Sequence, residues 1–260
     1  MNFNFDGKVA LITGGESGIG ASIALSLAKL GCTIVITYFK HAELGNEVIK
    51  VANTYGKSNL MFNCDVRKEE EVKTLFENVK DKFGRVDFLI NSAGVRSNDK
   101  PLLDLQFDEF KNTLETNLYG VFLCCKYFVM QFKQVQTNGR IINITSIHQD
   151  IVSAGKTDYC ASKFGINGFS KALALELAEK NITVNCIAPG MILSPMNERA
   201  LTDDTYRREQ ELRIPLKYAG LPQEIANMVV FLCSENGKYI TGTSQVIDGG
   251  LSINRQKGSN

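Results

Sequence analysis

The sequence contains no tryptophan, two histidines and five prolines, and its charges nearly cancel. Each shortage excludes something. With a formal net charge of +1 and no basic run interleaved with aromatics, there is no electrostatic footprint for nucleic acid or an anionic membrane. The longest apolar runs, such as KVALI, TIVI and MVVFLC, fall far short of the roughly 18 residues of a membrane span. The opening MNFNFDGKVALIT has no basic segment leading into a long apolar one, so a cytoplasmic protein is expected. The seven cysteines form no CxxC pair, and an odd number suits no complete disulfide framework. They are expected to be reduced, buried and apolar in character. His41 and His148, without a Cys/His cluster, leave no expected metal site.

A chain of 260 residues is long enough for one domain with a sizeable core. Short β-type runs at 8–13, 33–39, 59–66, 86–94, 140–146, 182–190 and 244–250 alternate with helix-length segments at 18–31, 42–55, 69–83, 108–135, 158–180 and 222–235. That alternation predicts an α/β fold: a doubly wound, Rossmann-like parallel sheet of about seven strands with helices on both faces. The strands read as continuous apolar runs, as strands covered on both faces should. No linker or repeat divides 1–260, so a single domain is expected, with a frayed tail NRQKGSN. Pro189, Pro195, Pro215 and Pro222 bracket a polar, charge-rich stretch at 197–213, and a substrate lid is expected near 191–215. The stretch LYGVFLCCKYFVM (118–130) is apolar nearly all round, and the helix after Tyr159 is apolar on more than one face. Such helices must be covered on both sides, so a homo-oligomer is expected.

In this fold ligands bind outside the carboxyl ends of the strands, where three features collect. TGGESGIG (13–20) joins the first strand to the first helix. Gly14, Gly18 and Gly20 let the chain turn tightly and let a pyrophosphate approach backbone N–H groups at a helix N-terminus. Their G-x-x-x-G-x-G spacing is not the common dinucleotide fingerprint. Asp65 follows the third strand, where a carboxylate can accept from an adenine amino group. NSAG (91–94) follows the fourth, where Asn91 can pin two loops and Gly94 leaves room for a ribose.

Tyr159 precedes Lys163 by one helical turn, so their side chains share a face, with Cβ atoms about 5–6 Å apart. Ser146 ends the fifth strand and Asn117 lies within ETNLYG. With these residues the chain resembles a classical short-chain dehydrogenase/reductase over nearly its whole length. The motifs are TG-x-x-x-G-x-G, N-x-A-G, the helical Asn117, Ser146 followed by Y-x-x-x-K, and the turn APGMILSPM (188–196). SIHQ, YCASKFG, IAPGMILSPM and RIPLKYAGLPQEIA resemble the glucose 1-dehydrogenase branch in particular.

The resemblance implies hydride transfer between NAD or NADP and a small alcohol or carbonyl. Tyr159 would give or take the proton. A phenol titrates near pH 10, so a neighbouring cation is needed to favour phenolate, and Lys163 would supply it while binding the ribose. Ser146 would polarise the substrate oxygen, and Asn117 would hold a water relaying protons to Lys163. Ser17 and Ile19 join the glycines of the phosphate loop; Tyr38, Asp65 and Val66 line the adenosine end; Asn91, Ala93 and Gly94 follow; Pro189, Gly190, Ile192 and Ser194 hold the nicotinamide end. The family also implies a homotetramer. Tyr38 and Phe39 stand where NAD-preferring members usually carry an acidic residue, so the coenzyme expectation leans to NADP or dual use. His148 matches the sugar-oxidising branch, whereas Arg96 stands where that branch has an acid and suggests an anionic substrate. The alternatives are a 3-oxoacyl-(acyl carrier protein) reductase-like ketoreductase, a cofactor-binding regulatory protein of low turnover, and a purely structural subunit.

Overall fold

The computed structural model describes residues 3–97, 99–132 and 138–254. All but Asn254 of the tail expected to fray (254–260) and the last part of the expected 108–135 helix (133–135) lie outside the described residues. Seven parallel strands, β1 (Val9–Thr13), β2 (Thr33–Tyr38), β3 (Leu60–Asn63), β4 (Phe88–Asn91), β5 (Gly139–Ile144), β6 (Ile182–Pro189) and β7 (Ser244–Ile247), form one sheet in the order β3-β2-β1-β4-β5-β6-β7. The register runs Ile12↔Ile36, Thr13↔Asn91, Asn91↔Asn143 and Asn143↔Cys186, which lines up the carboxyl ends of the central strands. The chain winds from β1 out to β3, then returns to β4 on the other side of β1. That reversal opens a crevice between neighbouring loops.

Alternate strand residues serve opposite faces, as the two-residue period requires. Val9 and Leu11 join a core with Ile141, Val184 and the inner sides of α3 (Glu69–Phe83), α5 (Gly120–Met130) and α6 (Thr157–Leu177). Ala10 and Ile12 join a second core with Ile142, Ile187 and α1 (Gly18–Ala28), α2 (Ala42–Asn53) and α9 (Pro222–Cys233). All seven cysteines are free and buried. Among the described residues no helix is long and apolar enough to cross a membrane.

The long helix expected over 108–135 is divided. α4 (Phe107–Leu114) passes through a π-helical turn, Glu115–Tyr119, into α5. The wider turn carries Asn117 inward, where it bonds both backbone groups of Val95. Just beyond it, Gly120 lets the helix close on the end of β3: a Cβ there would lie 2.7 Å from Val66 Cγ2. The polar stretch 197–213 is largely helical, as α7 (Glu198–Thr202) and α8 (Asp204–Glu211). On the outer surface of α5, α6 and the π-helical turn, Tyr119, Phe122, Met130, Phe164 and Leu175 are exposed.

Candidate active site

The carboxyl ends of β1, β2, β4, β5 and β6 border one cleft of about 1070 Å³. Its floor at the β1 end is the phosphate loop, fastened to β2 by two bonds: Gly14 N–H donates to Thr37 Oγ1 at 3.2 Å and Gly15 N–H to the Thr37 carbonyl at 3.0 Å. Thr13 Oγ1 accepts from the N–H groups of Ser92 and Ala93, each at 3.1 Å, which draws the loop after β4 alongside. Gly14 has φ +62°, and a Cβ there would lie 2.8 Å from Ala93 Cα. A Cβ on Gly20 would lie 2.2 Å from the Gly14 carbonyl oxygen, so the start of α1 is packed directly on the turn. Ser17, the N-cap of α1, makes no side-chain cap. With Ser17, Gly18, Ile19 and Gly20 all in the cleft wall, the free N–H groups of this helix end are available to a ligand. An open helix end, a turn with no space for side chains and a buried, unpartnered Glu16 Oε2 together fit a dinucleotide.

At the other end of the cleft stand Ser146, Tyr159 and Lys163. Ser146 follows β5 and caps a short 3₁₀ turn, accepting from the His148 N–H at 3.2 Å. It also hydrogen-bonds the Tyr159 phenol. Tyr159 and Lys163 lie in the first two turns of α6, 9% and 6% exposed. Lys163 Nζ donates to the Ile144 carbonyl at 3.1 Å and lies 5.5 Å from the centroid of the Tyr159 ring. The His148 ring packs edge-on against the same phenol, 5.9 Å away, with Nδ1 3.3 Å from the Ile151 carbonyl; burial pushes its pKa down.

The electrostatics differ from the sequence expectation. Burial is the largest influence on the Tyr159 phenol and pushes it up; the Ser146 hydrogen bond and the positive charge of Arg96 act against it. Lys163 is not among the groups that lower it; with its own pKa pushed down, it has lost its charge before the phenol titrates. Lys163 is itself pushed down to about 8 by burial.

Most residues expected at the cofactor reach the cleft wall: Gly14, Ser17, Gly18, Ile19, Gly20, Tyr38, Asp65, Val66, Ala93, Gly94, Pro189, Gly190, Ile192 and Ser194 all border it. Two do not. Asn91 is buried under the cleft, donating to Asn143 Oδ1 at 2.8 Å and to Cys125 Sγ at 3.5 Å, so it ties strands and α5 together rather than two loops. Asn117, 1% exposed, uses both amide hydrogens on the Val95 carbonyl and Ser162 Oγ, at 3.0 and 3.2 Å. Its Oδ1 accepts from Val95 N–H at 2.8 Å, so the side chain has no donor left for a relayed water. The space at Gly94 serves this asparagine: a Cβ there would lie 3.1 Å from Asn117 Oδ1 and 3.9 Å from Lys163 Nζ.

Asp65 is committed to Arg67, which sequence reasoning missed. Arg67 Nε and Nη2 donate to its two oxygens at 2.8 and 2.6 Å, and Nη1 donates to Asn112 Oδ1 at 2.7 Å. This bond to Arg67 holds the Asp65 carboxyl below its ordinary value. Arg67 and Lys40 both approach the Phe39 ring, at 5.4 and 5.6 Å from its centroid. The D-x-R spacing was the only sequence signal for this arrangement. Arg96 reaches the cleft but is not a lone cation. It donates to Asp99 Oδ2 at 2.7 Å, and Asp99 is shared with Lys156. Arg199, stacked on Tyr206 at 4.1 Å, and Arg213 complete a cationic lip that only the folded chain reveals.

Fold and site define a nucleotide-binding doubly wound protein with a Ser-Tyr-Lys cluster at the mouth of its cleft. A family model described as enoyl-(acyl carrier protein) reductase matches residues 14–252. A 3-oxoacyl-(acyl-carrier-protein) reductase of Staphylococcus epidermidis is 39% identical over 244 residues, covering 94% of this chain and 98% of the relative. The crystal structure of acetoin dehydrogenase from Enterobacter cloacae superposes with a TM-score of 0.89 at 32% identity, covering 99% of this chain and all of that one. An actinorhodin polyketide ketoreductase solved with NADPH has a TM-score of 0.89 at 32% identity, covering 95% and 98% of the two chains. The chain belongs to the short-chain dehydrogenase/reductase family, and it is an oxidoreductase of alcohol and carbonyl groups.

The buried lysine has a signature. Its pKa in the fold, about 8, is below the unfolded value near 10.5, so between those values the unfolded chain holds more protons at this site than the folded one. Stability attributable to Lys163 therefore rises with pH from about 8 to about 10.5. Comparing denaturant unfolding of wild type and Lys163→Met across that window should show the wild type gaining relative to the variant as pH rises. Parallel curves would contradict a desolvated ammonium.

Proposed function

We propose that Tyr159 is the proton donor and acceptor in hydride transfer between a nicotinamide dinucleotide and a small secondary alcohol or carbonyl. The single observation that carries this is the bonded pair Ser146–Tyr159, with Lys163 alongside, opening on a cleft whose far end is built for a pyrophosphate. A bound nicotinamide dinucleotide supplies the hydride, or accepts it. The chain's own groups handle the proton. Ser146 holds the reacting oxygen against the phenol. Burial keeps Tyr159 protonated, ready to donate in the reducing direction; positive charge brought beside it favours phenolate for oxidation. Lys163, close to neutrality, accepts and returns protons while binding the ribose. Asn117 positions Gly94 and the loop after β4, and α7 and α8 cover the substrate as a lid. NAD and NADP fit this site equally except at the 2′ position of the adenosine ribose.

The substrate end favours a carbonyl compound bearing negative charge over a neutral sugar. Arg96, Lys156, Arg199 and Arg213 border it, and the two carboxylates paired with them, Asp99 with Arg96 and Lys156 and Asp203 with Arg199, offset only part of that charge. The relatives named 3-oxoacyl-(acyl-carrier-protein) reductase and acetoin dehydrogenase support a small ketone rather than glucose. Following NADH and NADPH absorbance with a panel of acidic and neutral ketones and sugars, Tyr159→Phe should lose about 10²–10⁴-fold in kcat while still binding dinucleotide. Arg96→Ala should lower kcat/KM for acidic substrates alone. Full turnover by Tyr159→Phe would end the proposal, and an indifferent Arg96→Ala would end its anionic-substrate clause.

The exposed apolar residues of α5, α6 and the π-helical turn support assembly of copies through these helices, as a dimer or tetramer. Phe122, 48% exposed and edge-on to Phe169 at 6.3 Å, is the central residue. Light scattering should show the wild type larger than one chain and Phe122→Glu reduced to it; a monomeric wild type at micromolar concentration would contradict this.

A further inference from the structure

Where β2 ends, the sequence offers Tyr38, Phe39, Lys40 and His41, and no carboxylate. The fold brings one from the opposite side. Glu16, in the phosphate loop, borders the cleft beside Tyr38, Phe39 and His41. Fastening of the loop to Thr37 sets it there. Gly45, in the first turn of α2, packs alongside: a Cβ there would meet Glu16 Cβ at an ordinary contact distance of 3.7 Å. The Glu16 carboxylate accepts from its own N–H and from that of Phe39, yet Oε2 is buried with no hydrogen-bond partner. Burying a carboxylate oxygen unpaired is costly, and such an atom in a cleft wall is an acceptor awaiting a donor.

The cations nearby are otherwise engaged. Arg67 is held by Asp65 and Asn112, and His41 pairs with Glu43 at 3.0 Å. Lys40 lies over the Phe39 ring. In doubly wound folds a carboxylate about 20 residues beyond the glycine turn accepts from the adenosine 2′-hydroxyl, whereas a cation accommodates a 2′-phosphate. We propose that Glu16 performs this reading from within the phosphate loop itself, accepting the ribose 2′-hydroxyl and repelling a 2′-phosphate, so that the protein prefers NAD to NADP. The inference rests on the dinucleotide reading of the cleft. It turns aside the lean towards NADP, which followed from residue 38 having no carboxylate and took no account of a carboxylate reaching that corner from the loop.

Calorimetric titration of the full chain with NAD⁺ and NADP⁺ tests it without turnover. The wild type should bind NAD⁺ at least about tenfold more tightly, a difference of about 1.4 kcal/mol. Glu16→Gln, which keeps shape and removes charge, should shrink that ratio severalfold, chiefly by strengthening NADP⁺ binding; Glu16→Ala should shrink it further. Thermal melting of each variant checks that it is folded. Tighter binding of NADP⁺ by the wild type, or the same ratio in all three folded proteins, would overturn the role of Glu16 while leaving the proposed function intact. A wild type that bound neither dinucleotide would overturn both.

Discussion

Tyr159, the proposed proton carrier, is held where burial disfavours ionisation of its phenol. Tyr159 is almost enclosed, and burial outweighs the Ser146 hydrogen bond and the charge of Arg96 in setting its proton affinity. Lys163, one turn on, is subject to the same constraint with the opposite sign: burial disfavours its charge. Both groups are poised by desolvation, so either is sensitive to any charge placed in the cleft. That sensitivity depends on the first turns of α6 being pressed against the end of β5, where the Ile144 carbonyl receives the lysine.

The rest of the architecture maintains this contact. Asn143 accepts from Asn91 and donates to Ser170 at 2.8 Å, joining β4, β5 and α6 beneath the cleft. Asn117 clamps both backbone groups of Val95 and touches Ser162 on α6, so the π-helical turn, the loop after β4 and α6 are tied together. Polar side chains serve here as internal ties whose loss leaves buried partners unsatisfied. At the other end of the cleft, close approach adds to hydrogen bonding: Gly14 and Gly20 let segments meet backbone to backbone, and Gly18 lies against the Ser194 and Pro195 side chains.

The strands and their shared edge were legible because a two-face buried strand reads as an unbroken apolar run, and because Gly-rich turns punctuate strand ends. Tyr159 and Lys163 were legible as a pair because the i, i+4 spacing puts them on one helix face, and Ser146 joined them through the family resemblance. Asn117 and Asp65 were found in sequence, but their partners were not, since Val95 and Ser162 are remote from Asn117, and Arg67 passes in sequence for a solvated cation. The π-helical turn was invisible because its residues, ETNLY, have ordinary helical character, and the inward position of Asn117 shows only in the fold. Glu16 carries no signal of its own in the glycine turn. Its significance depends on β2, α2 and the phosphate loop converging, which no local pattern records.

The central claim is that desolvation keeps the Tyr159 phenol protonated until positive charge enters the cleft. The most direct measurement is NMR titration of protein labelled with ¹³C at tyrosine Cζ, with the Tyr159 signal identified by its loss in Tyr159→Phe. The account predicts a titration above the ordinary phenol value of about 10 for the protein alone and a fall on adding oxidised dinucleotide. A phenol already titrating below that value in the protein alone, or one unmoved by the dinucleotide, would contradict it.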